Sequence, residues 1–150
     1  MSAGTAPIVR SVEVRATPQR VWTLLTQPEE LVRWWPDVAE FEAREGGRVR
    51  MVFEANSSVV NGRVTRFDPP TGLCFTWERE QSPGAPTQVE FTVTDLGAGR
   101  CRVEVVHSGW EGSPELRPLH DAGWAHFLGC LADLAEGRPV HKPFTPQEEQ

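Results

Sequence analysis

No apolar run in this 150-residue sequence approaches the length of about 20 residues that crosses a bilayer, which excludes a membrane-spanning helix. Met1 to Pro7 has neither a basic flank nor an apolar stretch behind it, so no secretory signal is expected and the expected location is cytoplasmic. Lys and Arg number 15 against 21 Asp and Glu, and the net charge of −6 comes with no basic cluster to neutralise phosphates. A nucleic-acid partner is therefore not expected. Cysteine is scarce and odd in number: Cys74, Cys101 and Cys130 lack CxxC spacing and sit among apolar residues, as free thiols of a reducing compartment do. The histidines and thiols show no tetrahedral ligand spacing, and no nucleophile elbow is present, so neither a metal site nor a covalent nucleophile is implied. Gly46-Gly47 and Gly97-Ala98-Gly99 lack the strand-to-helix setting of a phosphate loop and read as turns. No cofactor is implied. Tyrosine is missing altogether, while six Trp and seven Phe supply large rigid rings that suit either a core or a cavity wall.

What is present has the size of one domain. Residues 8–137 read as that domain, with a flexible stretch at 1–7 and a polar, Pro-rich tail, expected to be poorly ordered, at 138–150. Ile8 to Arg15 alternates as a strand with one wet face. Thr17-Pro18 then reads as an N-cap and first-position proline, and Thr26 to Glu29 as a capping box for a second short helix that Pro36 stops. From Val38 to Ser108, short alternating runs are broken by turn residues, and six strands are expected: Val38–Arg44, Arg48–Glu54, Val59–Phe67, Leu73–Arg79, Thr87–Thr94 and Arg100–His107. Gln81 to Pro86 reads as a loop. The last element is a long helix from Ser113-Pro114 to Gly137, with His120, Gly123, Trp124, Phe127, Leu128, Leu131 and Leu134 on its apolar stripe.

This order is an α+β arrangement: a seven-stranded curved antiparallel sheet wrapped around a long C-terminal helix, with two short helices after the first strand. A sheet that grips one helix leaves a hollow on its concave side, and Gly123 on the inner stripe removes one more side chain.

Several segments, in this order and spacing, carry a resemblance over roughly Val12 to Gly137. They are Val14-Arg15-Ala16-Thr17-Pro18 with Val21-Trp22, Thr26 to Leu31 running into Trp34-Trp35-Pro36, and Gly62 to Phe67 leading into Asp68-Pro69-Pro70. Leu73 to Trp77, His107-Ser108-Gly109-Trp110, and Gly123-Trp124 with Leu128 and Leu131 complete the set. The sequence resembles the SRPBCC or START-like superfamily and, within it, the AHSA-type group named after the activator of heat-shock-protein ATPase homologues. The resemblance implies a helix-grip fold around a pocket. Family members look like binders or carriers of apolar small molecules; some resemble cyclases or other enzymes, and a few act on protein partners. No single cofactor or catalytic triad is implied.

The expected pocket residues are Trp35 from the second short helix, Met51, Phe53, Phe75, Trp77, Phe91 and Val105 from the sheet, and Gly123, Trp124, Phe127 and Leu131 from the long helix. His107 ends the last strand on its inward face and His120 lies on the helix's inner stripe; each reads either as an acid or base or as a hydrogen-bonded structural histidine. Two neighbours on a helix cannot both face inward, so one of Trp34 and Trp35 is expected to close the pocket end. Trp110, between Gly109 and Gly112, reads as a lid, and Glu78-Arg79-Glu80 as a solvated rim. The leading reading is noncatalytic binding of a small hydrophobic or aromatic molecule. A cyclase- or dehydratase-like enzyme and a co-chaperone-type interaction module or homodimer are the alternatives.

Overall fold

The computed structural model describes residues 3–81 and 85–144. Residues 82–84 of the expected Gln81–Pro86 loop, and 145–150 of the tail, lie outside the described residues. The chain runs β1 (Ile8–Val14), α1 (Pro18–Thr26), α2 (Pro28–Trp34), β2 (Val38–Phe41) and β3 (Arg48–Phe53). It continues through β4 (Ser58–Asp68), β5 (Gly72–Arg79), β6 (Thr87–Gly97) and β7 (Arg100–Ser108), and then α3 (Arg117–Ala135). The strands form one antiparallel sheet in the order β1-β7-β6-β5-β4-β3-β2. Since β1 and β2 occupy opposite edges, α1 and α2 carry the chain from one edge of the curved sheet to the other. The third helix covers the concave face, giving the helix-grip arrangement.

Alternation explains which side chains turn inward. Val89, Phe91 and Val93 of β6, and Cys101, Val103, Val105 and His107 of β7, are all buried, whereas Gln88 and Arg102 between them are exposed. Gly62 sits where β4 meets β5, and a Cβ there would fall 1.9 Å from the carbonyl oxygen of Thr76. Only glycine lets the two strands approach at that point.

Several local expectations are corrected. The first helix is capped as expected, with Thr17 Oγ1 accepting from Arg20 N–H at 3.2 Å. The second has no capping box: Gln27 is its N-cap without a side-chain bond, because Thr26 Oγ1 instead donates to the Trp22 carbonyl one turn back. Ser113-Pro114 does not begin the long helix. Ser113 donates its N–H to the Trp110 carbonyl, Pro114–Leu116 form a 3₁₀ turn, and the α-helix starts at Arg117 with Pro118 in its first turn. Both adjacent tryptophans turn inward, because α2 ends at Trp34 and Trp35 leaves helical geometry at φ −130° and ψ −94°.

The chain ends pack on the domain where they are described. Ala3–Thr5 form a 3₁₀ turn, and Arg117 donates to the carbonyls of Ala6 and Pro7. In the tail, Lys142 Nζ donates to the carbonyls of Val32 at 2.7 Å and Pro36 at 2.8 Å, and Phe144 stacks on His126. All three cysteines are buried free thiols.

Candidate functional site

Between α3 and strands β3 to β5 lies a cavity of about 110 Å³. Its walls are mainly rings: Trp35, Phe53, Trp77, Trp124 and Phe127, with Gly123 and Leu119 from the helix and Phe144 from the tail. The polar groups on the wall are Ser58, Arg79 and His120. A second cavity of about 290 Å³ adjoins it, shares Trp35, Phe53, Phe127 and Phe144, and is otherwise bounded by Asp37, Glu54, Ala55, Lys142 and Pro143.

Of the residues expected to line a pocket, the structure brings Trp35, Phe53, Trp77, His120, Gly123, Trp124 and Phe127 together on the cavity wall. Met51, Phe75, Phe91, Val105 and Leu131 are instead fully buried in the packed core. Trp35 is the reason. Just beyond the end of α2, its ring drops into the concave side, stacked on Trp77 at 5.6 Å and 13°, and lies 6.4 Å from Phe75 and 6.0 Å from Phe91. It fills the space those phenylalanines would otherwise have lined.

Beneath the wall runs a continuous polar chain. Trp124 Nε1–H donates to His107 Nδ1 at 3.0 Å, so that nitrogen carries a lone pair and Nε2 carries the proton. His107 Nε2–H donates to Thr87 Oγ1 at 2.7 Å, and the Thr87 hydroxyl donates onward to the Trp77 carbonyl at 3.2 Å. Strand register makes this contact: Val89 pairs with His107 and Thr87 with Trp77, so one inward column of β6 meets both neighbours. Trp77 Nε1–H in turn donates to His120 Nε2 at 3.3 Å, and His120 Nδ1–H donates to the Leu116 carbonyl at 2.9 Å.

Burial pushes the His107 pKa well below its ordinary value, helped by the neighbouring His120. Burial also lowers that of His120, against the Leu116 hydrogen bond and with the charge of Arg79. Both rings are thus neutral, and all four ring nitrogens are engaged. In this arrangement neither histidine offers a free nitrogen to the cavity for proton transfer.

Trp110 is not a lid. It is 1% exposed, its indole N–H donates to the His107 carbonyl at 2.8 Å, and its ring packs on His107 at 4.5 Å and His120 at 5.0 Å. Gly109, at φ +97°, makes the sharp turn that folds this ring beneath the loop.

Sequence reasoning missed Ser58, Val60, Arg79, Leu119 and Phe144. A signal existed for Arg79, since β5 alternates Phe75, Trp77 and Arg79 on one face; the flanking glutamates disguised it as rim. Phe144 had none, standing alone in a polar tail. Among the described residues, no group of three or more His, Cys, Asp or Glu side chains could hold a metal ion. No described helix is long and apolar enough to cross a membrane.

Solved structures share this fold. DynU16, a protein of the dynemicin biosynthetic locus, is 25% identical with a TM-score of 0.77; the alignment covers 91% of this chain and 50% of that one, so this chain spans half of its length. The Aha1 dimer from Colwellia psychrerythraea is 22% identical with a TM-score of 0.74, covering 87% of this chain and 96% of that one. An HSP90 activator from Plasmodium falciparum is 16% identical with a TM-score of 0.71, covering 91% and 99%. No curated protein matches the sequence. Residues 15–136 match the family model described as activator of Hsp90 ATPase homolog 1-like protein, and the chain belongs to that family.

Proposed function

We propose that the chain binds a small ring-bearing apolar molecule in the cavity between α3 and the sheet, stoichiometrically, in a carrying, sequestering or sensing role. The observation that carries this reading is the wall itself: six tryptophan and phenylalanine rings line unfilled space in an otherwise closely packed domain. Scale matters here. An engineered cavity of about 150 Å³ in another protein stays dry and binds benzene, so about 110 Å³ suits a single ring. Anything larger needs the adjoining cavity, and thus movement of Phe144.

Two alternatives draw on relatives. The first, a cyclase- or dehydratase-like enzyme, comes from the superfamily resemblance of the sequence, and DynU16 is described as a protein of a biosynthetic locus. That role would require Trp77 to release His120 Nε2; among the described residues His120 is the histidine whose ring reaches the wall. A co-chaperone-type role, or a homodimer, follows the named relatives. Of the exposed large hydrophobics among the described residues, Val9 and Val38 lie on opposite edge strands, so those two do not join into one docking patch.

The test is titration with neutral single-ring probes, ethylbenzene and 3-phenylpropanamide, followed by tryptophan fluorescence and thermal melting. One saturable site and a rise in Tm with ligand concentration are expected, because a ligand seen only by the folded state stabilises it by mass action. Absence of saturable binding by either probe overturns the reading.

A further inference from the structure

Arg79 is the one charged side chain on the wall of the cavity between α3 and strands β3 to β5, since His120 there is neutral. It stands two residues beyond Trp77 on the inward face of β5 and is half-buried. Its guanidinium donates to Ser58 Oγ at 3.0 Å, and it forms no ion pair with a carboxylate of the described residues. Glu78 and Glu80, its immediate neighbours, alternate onto the outer face, where Glu80 accepts from Asn61 Nδ2 at 2.7 Å.

Several other arginines of the sheet are paired with carboxylates, while Arg63 donates to the Gly46 carbonyl. Arg10 pairs with Asp121, Arg66 with both Asp68 and Glu90, and Arg100 and Arg102 with Glu13. These lie on the solvent side, where an ion pair adds little. Arg79 faces a cavity of rings instead. A half-desolvated guanidinium with one hydroxyl partner has donors to spare, in a fork that fits a carboxylate. At the far end, the second cavity has Asp37, Glu54 and Lys142 in its wall, and Lys142 Nζ lies 3.6 Å from Asp37 Oδ1, so the cation there already has a carboxylate partner, which Arg79 lacks among the described residues.

Resting on the reading of this cavity as a ligand site, we infer that its ligand is an apolar anion. The class is an aromatic carboxylic acid whose carboxylate takes Arg79 and Ser58 while its ring lies among Trp35, Trp77 and Trp124. Charge selects the ligand's head group and orientation; the rings supply the burial.

The experiment compares 3-phenylpropanoate with its neutral isostere 3-phenylpropanamide at pH 7.5 and low salt, on the wild-type chain and on Arg79→Gln. The acid is expected to bind at least about tenfold tighter than the amide, the factor that a hydrogen bond to a charged group supplies. Arg79→Gln should cut the acid's affinity at least about tenfold and the amide's by less, so that the acid preference disappears. Equal affinities, or an acid preference that survives Arg79→Gln, overturn the inference while amide binding keeps the cavity reading standing. Binding of neither probe overturns both. If Arg79→Gln fails to fold, the decision passes to the wild-type acid-to-amide ratio together with Ser58→Ala, which should lower acid affinity more than amide affinity; no acid preference, or an equal loss for both probes, overturns the inference.

Discussion

Trp124 donates its indole N–H to Nδ1 of His107 at 3.0 Å, and that single bond fixes which nitrogen of a fully buried imidazole carries its proton. With Thr87 taking the other nitrogen, protonation of His107 would force two donors together at Nδ1.

The first prediction is a pH dependence. His107 and His120 both have folded-state pKa values below the ordinary 6.5, chiefly through burial. The unfolded chain therefore binds more protons, so stability rises with pH in this range and is lost as pH falls below about 6.5. Each histidine contributes a slope of up to about 1.4 kcal/mol per pH unit until its folded pKa is reached. Urea unfolding at pH 7.5 and 5.5 should show the loss before most carboxylates titrate. A flat profile, or imidazole NMR shifts of His107 that titrate near 6.5 in the folded protein, would contradict the neutral pair.

Trp110 gives the second prediction. Its ring is buried under the loop and bonded to the His107 carbonyl, and it is absent from the main cavity wall. Trp110→Ala should cost about 3–5 kcal/mol in urea unfolding, as buried aromatic truncations do. Probe dissociation rates should stay unchanged at a temperature where the variant is folded. Fast release with an unaltered Tm would restore the lid that the glycines on either side suggest from sequence.

The sequence made the grip legible because its evidence was local: alternation in β5, β6 and β7 and prolines at helix starts each report on a few adjacent residues. The cavity depended on something else. Whether Phe75 and Phe91 face a ligand or a neighbour is decided by Trp35, about 40 and 56 positions away in the chain, through a backbone angle one residue past a helix end. No period encodes that distance. The same holds for Phe144, whose place depends on Lys142 reaching carbonyls at the end of α2. Arg79 was readable from its face, but a charge between two glutamates reads more readily as solvated.

Phe144 carries the third prediction. Its ring forms part of both cavities, stacks on His126 at 5.1 Å and meets Phe127 edge-on at 5.8 Å. Phe144→Ala should join the two spaces and raise the association rate of a three-ring neutral fluorophore, N-phenyl-1-naphthylamine, several-fold in stopped-flow mixing. Lys142→Gln should act in the same direction by loosening the strap, since its ammonium is what reaches Val32 and Pro36. Unchanged association in both variants would mean that the ligand enters elsewhere.

The fourth prediction turns on Gly123, the gap in the inner stripe of α3. Its φ is not positive, and an added Cβ would meet only Phe144 Cε2, at 3.7 Å, an ordinary contact. Backbone geometry therefore does not demand glycine, and Gly123→Ala should stabilise the helix by roughly 0.5–1 kcal/mol in urea unfolding. The residue that the space does forbid is a large one. Gly123→Leu projects its branch into the cavity among Trp35, Trp77 and Trp124, and should abolish probe binding while circular dichroism and cooperative melting remain. The pair separates two explanations for glycine at this position. If Ala destabilises, the helix needs close approach to the sheet there and the gap is a packing device. If Ala stabilises and Leu blocks the probe, stability has been given up to keep the cavity open, as expected of a site held for a ligand. Should Leu leave probe affinity unchanged, the molecule binds outside this cavity.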